Sequence, residues 1–506
     1  MNSRTEKATK GIFTNFFQSI LQIILQLSLV PIVLKMAGQE TLGLYSIVIQ
    51  ILGYRILLDF GFMTAIKRYL SYAFGLNDEG KNFREVFCIG RVFSLFYNII
   101  LGILLFILSF VIDNFITMSS HSYKQLCLAL YILTIWTIIR TPISLYDMAL
   151  TARQNMDIVN IVGIISNIAR LVFSLFLVYI GTGILGLMLS NVLAEVINFV
   201  LNSKLFKKRY PDYHFGWQIH NWRLFKEIFT FGFQYWGVNV AYLLFYGTDN
   251  IIVGYLLGTI TASVYYTTKV PAFFLFQFIF TFADNSSPAV NELFAQSNYN
   301  SLQNAYLKLM RYSLILAVPI AIGIIGFNRY VVSLWVGPLQ YGGDIMTIFL
   351  AMYVIFEVIN HNNAMIAVAS GDIRLLSLIS IISGIICVVC SFLFGKLWGI
   401  TGVMLGILLL EIPGFVYLFY CSLRSIKLQL KSLLNEIYNS SVIPISILLL
   451  ILVVFIKILK PLSYIYIFSL AIVFLIIWFG GIFNKSLNSS EKKYIISFIK
   501  VRLCLR

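Results

Sequence analysis

The chain has 506 residues, of which 59% are hydrophobic and only 11% are charged. A soluble globular protein carries about 25% charged residues, so this composition excludes an ordinary soluble domain. The formal net charge is +16, but no RNA- or DNA-binding signature accompanies it, and we expect no nucleic-acid partner. The excess of Lys and Arg is typical of a membrane protein with basic cytoplasmic segments beside anionic lipid.

Apolar segments recur along the whole chain, as in a polytopic helical membrane protein. A transmembrane β-barrel would instead show alternating segments of about 10 residues. We therefore predict an all-α fold with 14 transmembrane helices. Their predicted ranges are 11–36, 43–74, 86–112, 123–150, 158–180, 184–206, 226–257, 261–296, 304–327, 344–370, 373–395, 399–423, 440–459 and 462–483.

The distribution of Lys and Arg supports this arrangement. With the N-terminus inside, 27 of these 37 residues fall in cytoplasmic segments and 6 in external segments. A missed or an invented helix would invert all later loops and remove the bias. We therefore expect both termini to be cytoplasmic.

Two segments of the second half repeat segments of the first. Residues 183–199 match residues 399–415 at 8 of 17 positions, and residues 38–45 share Gly, Thr and Tyr with residues 258–265. Duplicated halves of equal orientation are typical of a transporter with a binding site between them, and a duplicated channel or scaffold is the alternative. The predicted organisation is an N-terminal six-helix lobe (1–206), a basic cytoplasmic linker (207–225), a C-terminal six-helix lobe (226–424), two additional transmembrane helices (425–483) and a basic cytoplasmic tail (484–506).

Cations inside the predicted helices are costly in a bilayer and normally face a partner or a water-filled cavity. Arg55, Arg140 and Lys269 lie within helices, and Lys67 and Arg68 lie towards the cytoplasmic end of helix two. Arg140 precedes a Thr-Pro pair that is expected to kink helix four. The alternative for Lys67 and Arg68 is simple anchoring at the lipid headgroups.

Three other intramembrane charges are interpreted as structural. Arg170 and Glu195 lie mid-way along adjacent helices, at a depth where they can form an ion pair. Glu411 has no obvious basic neighbour, and burial would favour its protonated form.

Ion coupling or gating is predicted for a second group of polar residues. Asp59 lies four residues after Arg55 and can neutralise it on the same helix face. Asp249 can pair with Lys269, and Asp284 begins a polar break in helix eight. Glu357 and His361 are four residues apart and could carry a proton, or bind Na⁺ with nearby Asn amides. A hydrogen-bonded structural cluster is the alternative, and the scattered histidines predict no metal site.

Two segments resemble a known family. GxxTLGLYSIVIQ (38–50) and LLDFGFMTAIKRYL (57–70), with the polar N-terminus and the repeated Gly-Ile-x-Gly…Glu elements, resemble the polysaccharide-export transporters. These are the Wzx-type oligosaccharide repeat-unit flippases of the multidrug/oligosaccharidyl-lipid/polysaccharide superfamily. The resemblance covers essentially the whole chain and the arrangement of six, six and two helices. It implies two bundles that form a V around a central cavity, open alternately to each side.

The resemblance also implies a cargo: an undecaprenyl-pyrophosphate-linked oligosaccharide, moved outward across the bacterial plasma membrane for O-antigen, capsule or exopolysaccharide synthesis. It implies a transporter without a cofactor, driven by a proton gradient, a sodium gradient or the membrane potential. Anionic lipid and other polysaccharide-assembly membrane proteins are the expected partners. Because Arg suits phosphate, the predicted substrate-binding residues are Arg55, Arg140, Lys269, Lys67 and Arg68.

Other functions compete with this one. A lipid II-type flippase and a cation-coupled multidrug antiporter belong to the same superfamily. An enzyme, such as a membrane polysaccharide polymerase or ligase, is a remote alternative. It would need an external loop with catalytic Arg or His, and the predicted external loops are short and poor in both.

Overall fold

The computed structural model describes residues 2–74, 81–153, 155–213, 215–284, 286, 290, 293–294, 296–370, 373–439, 446–447, 449, 451, 453–454, 463–485 and 492. Most of the predicted helix at 440–459 and of the tail at 484–506 lies outside these residues.

The described residues form α-helices joined by short turns, with no strand among them. The helices are α1 (Asn2–Gly53), α2 (Arg55–Leu58), α3 (Phe62–Phe74), α4 (Lys81–Val111), α5 (Ser120–Ile139), α6 (Tyr146–Ala152), α7 (Met156–Tyr179), α8 (Gly183–Arg209), α9 (Trp222–Tyr246), α10 (Asp249–Asp284), α11 (Tyr299–Val336), α12 (Asp344–Ser370), α13 (Ile373–Ser425), α14 (Leu430–Asn439) and α15 (Tyr464–Lys485).

The predicted all-α polytopic fold class is confirmed. Within the part of the chain that the structure describes, 10 helical segments are long and apolar enough to cross a membrane. Three of these segments continue through a kink, at Gly38 in α1, Gly258 in α10 and Gly399 in α13. Each kink falls at a predicted boundary between two helices. Each of these three segments therefore contains residues of two predicted spans.

The chain forms two compact units. The first unit contains Met1–Tyr266 and Ser380–Gly399, and the second contains Thr267–Ile379 and Ile400–Arg506. The lobe boundaries predicted from the repeat, 1–206 and 226–424, remain a prediction.

The core of each unit contains aromatic and aliphatic side chains. In the first unit, Phe62, Phe87 and Phe206 are fully buried in one cluster. In the second unit, α15 packs on α11 through Trp478, whose indole N–H donates to the carbonyl of Ile315 at 2.8 Å. A buried Trp needs such a partner because its N–H has no water to bond inside the protein.

The segment between α8 and α9 is fixed to the first unit. The guanidinium of Arg153 lies over the rings of Tyr210 and Tyr213, 4.2 Å from each ring centre. A carboxylate oxygen of Glu85 accepts the backbone N–H groups of His220 and Asn221 at 2.8 and 2.7 Å. The predicted cytoplasmic linker is therefore clamped to α4 and α6 by cation–π contacts and hydrogen bonds.

The internal repeat is visible in the backbone. Gly38 has φ 83° and ψ 173°, and Gly258, its counterpart in the repeat, has φ 83° and ψ 171°. Gly183 and Gly399 also share a positive φ, of 51° and 61°. The conformation of Gly38 and Gly258 favours glycine, so the register that aligns residues 38–45 with 258–265 coincides with matching chain turns.

Gly38→Ala should lower the stability of the protein by about 1–3 kcal/mol, the usual cost of such a conformation in a residue with a Cβ. No atom lies within 4 Å of the added Cβ, so backbone strain alone is tested. Thermal unfolding of the purified protein in detergent measures the effect. The control is Gly323→Ala in α11, whose added Cβ would lie 4.0 Å from Phe474. An unchanged midpoint for Gly38→Ala would contradict the prediction.

Candidate functional site

Predicted helix two is broken where its charges lie. The structure divides it into the end of α1, the short α2 and then α3, with Phe60 and Gly61 at positive φ. A Cβ on Gly61 would come within 2.2 Å of the carbonyl oxygen of Gly232 in α9, so this crossing requires glycine. The continuous helix predicted over 43–74 is therefore wrong, because tertiary packing against α9 interrupts it.

Asp59 stabilises this break. Its carboxylate accepts the backbone N–H of Gly61 at 2.8 Å, and the indole N–H of Trp236 donates to the free carbonyl of Leu57 at 2.9 Å. Asp59 is buried, whereas the side chain of Arg55 is exposed. The two charges therefore have different surroundings, and the cation of Arg55 remains accessible.

Arg140 lies at the predicted kink of helix four. It caps α5 and precedes a 3₁₀ turn at Thr141–Ile143, so the kink at the Thr-Pro pair is confirmed. The side chain is 7% exposed, and its Nη1 lies 3.1 Å from a carboxylate oxygen of Glu195 in α8. Its Nη2 donates to the side-chain oxygen of Asn98 in α4 at 3.3 Å. Three helices therefore position this guanidinium.

Glu195 has a second donor. The indole N–H of Trp136 donates to the same oxygen that faces Arg140, at 2.7 Å. The Glu195 side chain is 38% exposed although Arg140 is buried. The Nε of Arg140 has no hydrogen-bond partner among the described residues. The pair therefore combines a fixed cation with spare donor capacity and a carboxylate that faces outwards from the packed interior.

The predicted pair of Arg170 and Glu195 is wrong, because Glu195 is engaged by Arg140 instead. The depth of the two residues along their helices is compatible with pairing, but depth does not determine which helix face each side chain occupies. The side chain of Glu411, the repeat counterpart of Glu195, lies outside the described residues.

Two helix breaks carry two arginines of the first half. Arg55 begins α2 and Asp59 follows it, whereas Arg140 follows α5 and pairs with Glu195. We name Arg55, Asp59, Arg140 and Glu195 the α4 charge cluster, after the helix whose Asn98 bonds Arg140.

Lys67 and Arg68 lie on α3. Both are exposed, and the guanidinium of Arg68 lies over the ring of Phe231, 4.2 Å from its centre.

Asp249 is buried at the start of α10, where the positive end of the helix dipole favours a carboxylate. It accepts from the Gln50 side-chain amide at 2.6 Å and from the Tyr265 hydroxyl at 2.9 Å. Gln50 in turn accepts the backbone N–H of Asn250 at 3.0 Å. Lys269 belongs to the second unit and is half-buried, so its predicted pairing with Asp249 remains a prediction.

In the second unit, the structure joins two residues of the predicted gating group. The Nε2 of His361 lies 2.8 Å from a carboxylate oxygen of Asp284, and the His361 ring stacks on Phe280 with centres 4.0 Å apart. Glu357 is buried one turn away from His361. Helix α10 ends at Asp284, where the predicted polar break of helix eight begins. Several of the residues that follow Asp284 lie outside the described residues.

Three polar residues of these networks escaped prediction: Asn98, Trp136 and Gln50. Each lies in an apolar helix and bonds a charged side chain. Uncharged polar residues in apolar segments, Asn98 and Gln50 here, are a signal that sequence reading can use. Among the described residues, no group of three His, Cys, Asp or Glu side chains could hold a metal ion.

The variants Arg140→Ala and Glu195→Ala should each destabilise the protein, because each leaves one charge of the pair without its partner. The double variant should recover part of the loss, with a coupling energy of roughly 0.5–3 kcal/mol. Thermal unfolding of all four proteins measures this coupling. The matched control is the exposed pair of Arg223 and Glu227, which lie 3.3 Å apart on one helix face. Its coupling should be smaller, and equal coupling in both pairs would contradict the prediction.

Comparisons with known proteins agree with this architecture. The sequence matches the family model described as "Polysaccharide biosynthesis protein" over residues 40–339. No curated protein matches the sequence.

Several solved structures have a similar fold. The lipid II flippase MurJ in an inward closed conformation is 17% identical, with a TM-score of 0.64 and coverage of 98% of this chain and 99% of that one. An inward-facing multidrug resistance MATE family transporter is 15% identical, with a TM-score of 0.59 and coverage of 82% and 99%. A MOP superfamily transporter from Pyrococcus furiosus is 14% identical, with a TM-score of 0.56 and coverage of 82% and 95%. The chain has the fold of these transporters. The family-model match over residues 40–339, more than half of the chain, shows that it belongs to the polysaccharide biosynthesis protein family.

Proposed function

We propose that this protein is a flippase for lipid-linked oligosaccharide repeat units in the synthesis of a bacterial surface polysaccharide such as O-antigen, capsule or exopolysaccharide. Its substrate is an oligosaccharide joined to undecaprenyl pyrophosphate. The protein lies in the plasma membrane with both termini in the cytoplasm. The family match supports the pathway, and the fold supports transport by alternating access.

The observation that carries the proposal is the α4 charge cluster. A diphosphate needs cations along its path through the membrane. Arg55 lies in the apolar segment Phe17–Leu58, and Arg140 directly follows the apolar segment Ser120–Ile139. Arg140 retains an unbonded Nε, and guanidinium groups bind phosphate oxygens through a fork of donors. Glu195 occupies Arg140 in this structure, so an arriving phosphate would compete with an internal carboxylate for the same guanidinium.

In the proposed mechanism the diphosphate enters from the cytoplasm and binds Arg55 and Arg140. Lys67 and Arg68 attract it from the cytoplasmic end of α3, and Lys269 contributes from the second half. Rearrangement of the two halves then exposes the substrate outside while its lipid tail stays in hydrocarbon. Asp59, Asp249, Asp284, Glu357 and His361 are the proposed gating or ion-coupling residues. Anionic lipid surrounds the protein, and other polysaccharide-assembly membrane proteins receive the product.

Transport of a lipid II-type substrate is the second candidate. The specific observation in its favour is the MurJ match, which extends over 98% of this chain. The two functions differ in the lipid-linked intermediate that accumulates when the gene is deleted. Loss of a repeat-unit flippase should leave complete polysaccharide repeat units on the cytoplasmic face, whereas loss of a lipid II flippase should leave cell-wall precursor there. Drug sensitivity without a glycan defect would favour the multidrug antiporter.

Arg55→Ala and Arg140→Lys should each reduce polysaccharide export by roughly 10- to 100-fold, the effect of losing one charge-assisted hydrogen bond of about 1.5–3 kcal/mol. Arg140→Lys keeps the charge opposite Glu195 and loses the bidentate fork, so it separates phosphate binding from folding. Complementation of a deletion strain, with quantification of surface polysaccharide and membrane abundance, measures the effect. The matched control is Arg223→Ala, because the Arg223 side chain is 91% exposed. Normal surface polysaccharide in both variants would disprove the site.

Outward transport should depend on the membrane potential. A diphosphate with two negative charges gains about 5 kcal/mol per 100 mV when it moves outward across an inside-negative membrane. In proteoliposomes that hold an inside-negative potential, valinomycin with equal K⁺ on both sides abolishes that potential. It should therefore slow the outward translocation of a fluorescent lipid-linked oligosaccharide. Nigericin, which collapses a pH gradient, is the control. Slowing by nigericin alone would contradict this energy source and assign coupling to a proton.

A further inference from the structure

An apolar cavity of about 620 Å³ lies within the first unit. Its volume falls in the range of ligand pockets, roughly 300–1,000 Å³. One wall is a stripe of leucines on α4, at spacings of three and four residues from Leu101 to Leu108, which places them on one helix face. Ile112, Ile252 and Phe392 also line the cavity, from other parts of the unit. The lining is almost wholly apolar and suits hydrocarbon rather than sugar.

The position of the cavity makes hydrocarbon its natural occupant. Leu104 and Phe115 line it and are themselves exposed, so the cavity is open at the surface of the membrane-spanning region. It lies at the end of α4 that is distant from Lys81, where the predicted topology places the outer half of the bilayer. Molecules that reach such an opening come from the lipid phase.

The cavity adjoins the α4 charge cluster. Tyr54, Leu57 and Leu58 line the cavity and belong to the same helix break as Arg55 and Asp59. The Tyr54 hydroxyl also lies 2.9 Å from the Thr248 hydroxyl, which fixes this wall to the turn before α10. A single four-residue helix, α2, therefore joins an intramembrane cation to an apolar cavity.

This combination selects one kind of lipid. A phospholipid keeps its phosphate at the membrane surface, whereas Arg55 belongs to the helical segment Phe17–Leu58, which is long and apolar enough to cross a membrane. A molecule with its phosphate at Arg55 and its chain in the cavity is instead a lipid whose head group has been drawn into the protein. We propose that the cavity holds part of the polyprenyl chain of the substrate while its diphosphate lies at Arg55. This inference rests on the proposed function and adds the site of the lipid tail.

Photocrosslinking in proteoliposomes tests the site. The photoreactive residue p-benzoylphenylalanine replaces Leu104, which lines the cavity and is 48% exposed. The matched control replaces Ile103, its neighbour on α4, which is 52% exposed and is not part of the lining. The vesicles contain phosphatidylcholine with a small, fixed fraction of undecaprenyl phosphate, and mass spectrometry identifies the adducts.

We expect polyprenyl adducts at position 104 in about tenfold excess over position 103, the ratio that a preference of about 1.4 kcal/mol for the cavity over bulk lipid produces. Equal polyprenyl adducts at both positions would overturn the proposal. An excess of phosphatidylcholine adducts alone at position 104 would also overturn it, since the cavity would then hold ordinary membrane lipid.

Export by filled-cavity variants gives a second readout. Leu104→Trp should reduce surface polysaccharide in a complemented deletion strain, whereas Ile103→Trp should not, at equal membrane abundance of the two proteins. Equal export by the two variants would count against a tail site. If Arg55→Ala abolishes export but position 104 shows no polyprenyl preference, the tail site fails and the proposed flippase function stands. If deletion leaves the glycan unchanged, the proposed function fails whatever position 104 binds.

Discussion

The bilayer requires every backbone polar group to be paired within the protein, and this constraint shapes the interrupted helices of this chain. At three of the breaks, side chains bond backbone groups. Trp236 donates to the free carbonyl of Leu57, and Asp59 accepts the N–H of Gly61. The hydroxyls of Thr141 and Thr248 donate to carbonyls of the preceding helical turn, at 2.9 and 3.3 Å. Irregular backbone is thus available inside the membrane, and two of these breaks carry Arg55 and Arg140.

The buried charges are also paired with partners inside the protein. Arg140 and Asp249 are buried, and each is held by polar residues from more than one helix. A buried charge without such partners would cost several kcal/mol, so these networks are conditions for the fold as well as candidates for function. Glu195 differs because a substantial part of its side chain is exposed. This exposed carboxylate opposite a buried guanidinium is the arrangement on which the proposed binding of a phosphate depends.

The two repeats share backbone geometry but not charged residues. Gly38 and Gly258 have nearly identical backbone angles, so the two halves share a turn that only glycine accommodates. The charges do not follow this symmetry, since the residue that aligns with Asp59 in the 220-residue register is Ile279. The candidate site is therefore asymmetric, with most of its cations in the first half, as the proposed substrate with its diphosphate at one end requires.

Sequence alone determined the class of the protein, because apolar segment length and Lys/Arg bias are local quantities that the bilayer constrains directly. It also located the kink at Arg140, where Pro acts through its own backbone geometry, and it placed helix boundaries beside Gly38 and Gly258. The tertiary structure decided which charges meet. The partner of Glu195 is Arg140 rather than Arg170, and helix two is broken by its packing on Gly232, because both outcomes depend on which helix faces lie together. Spacing along one helix carries no information about the face of another, so contacts between helices are decided only when the chain is folded.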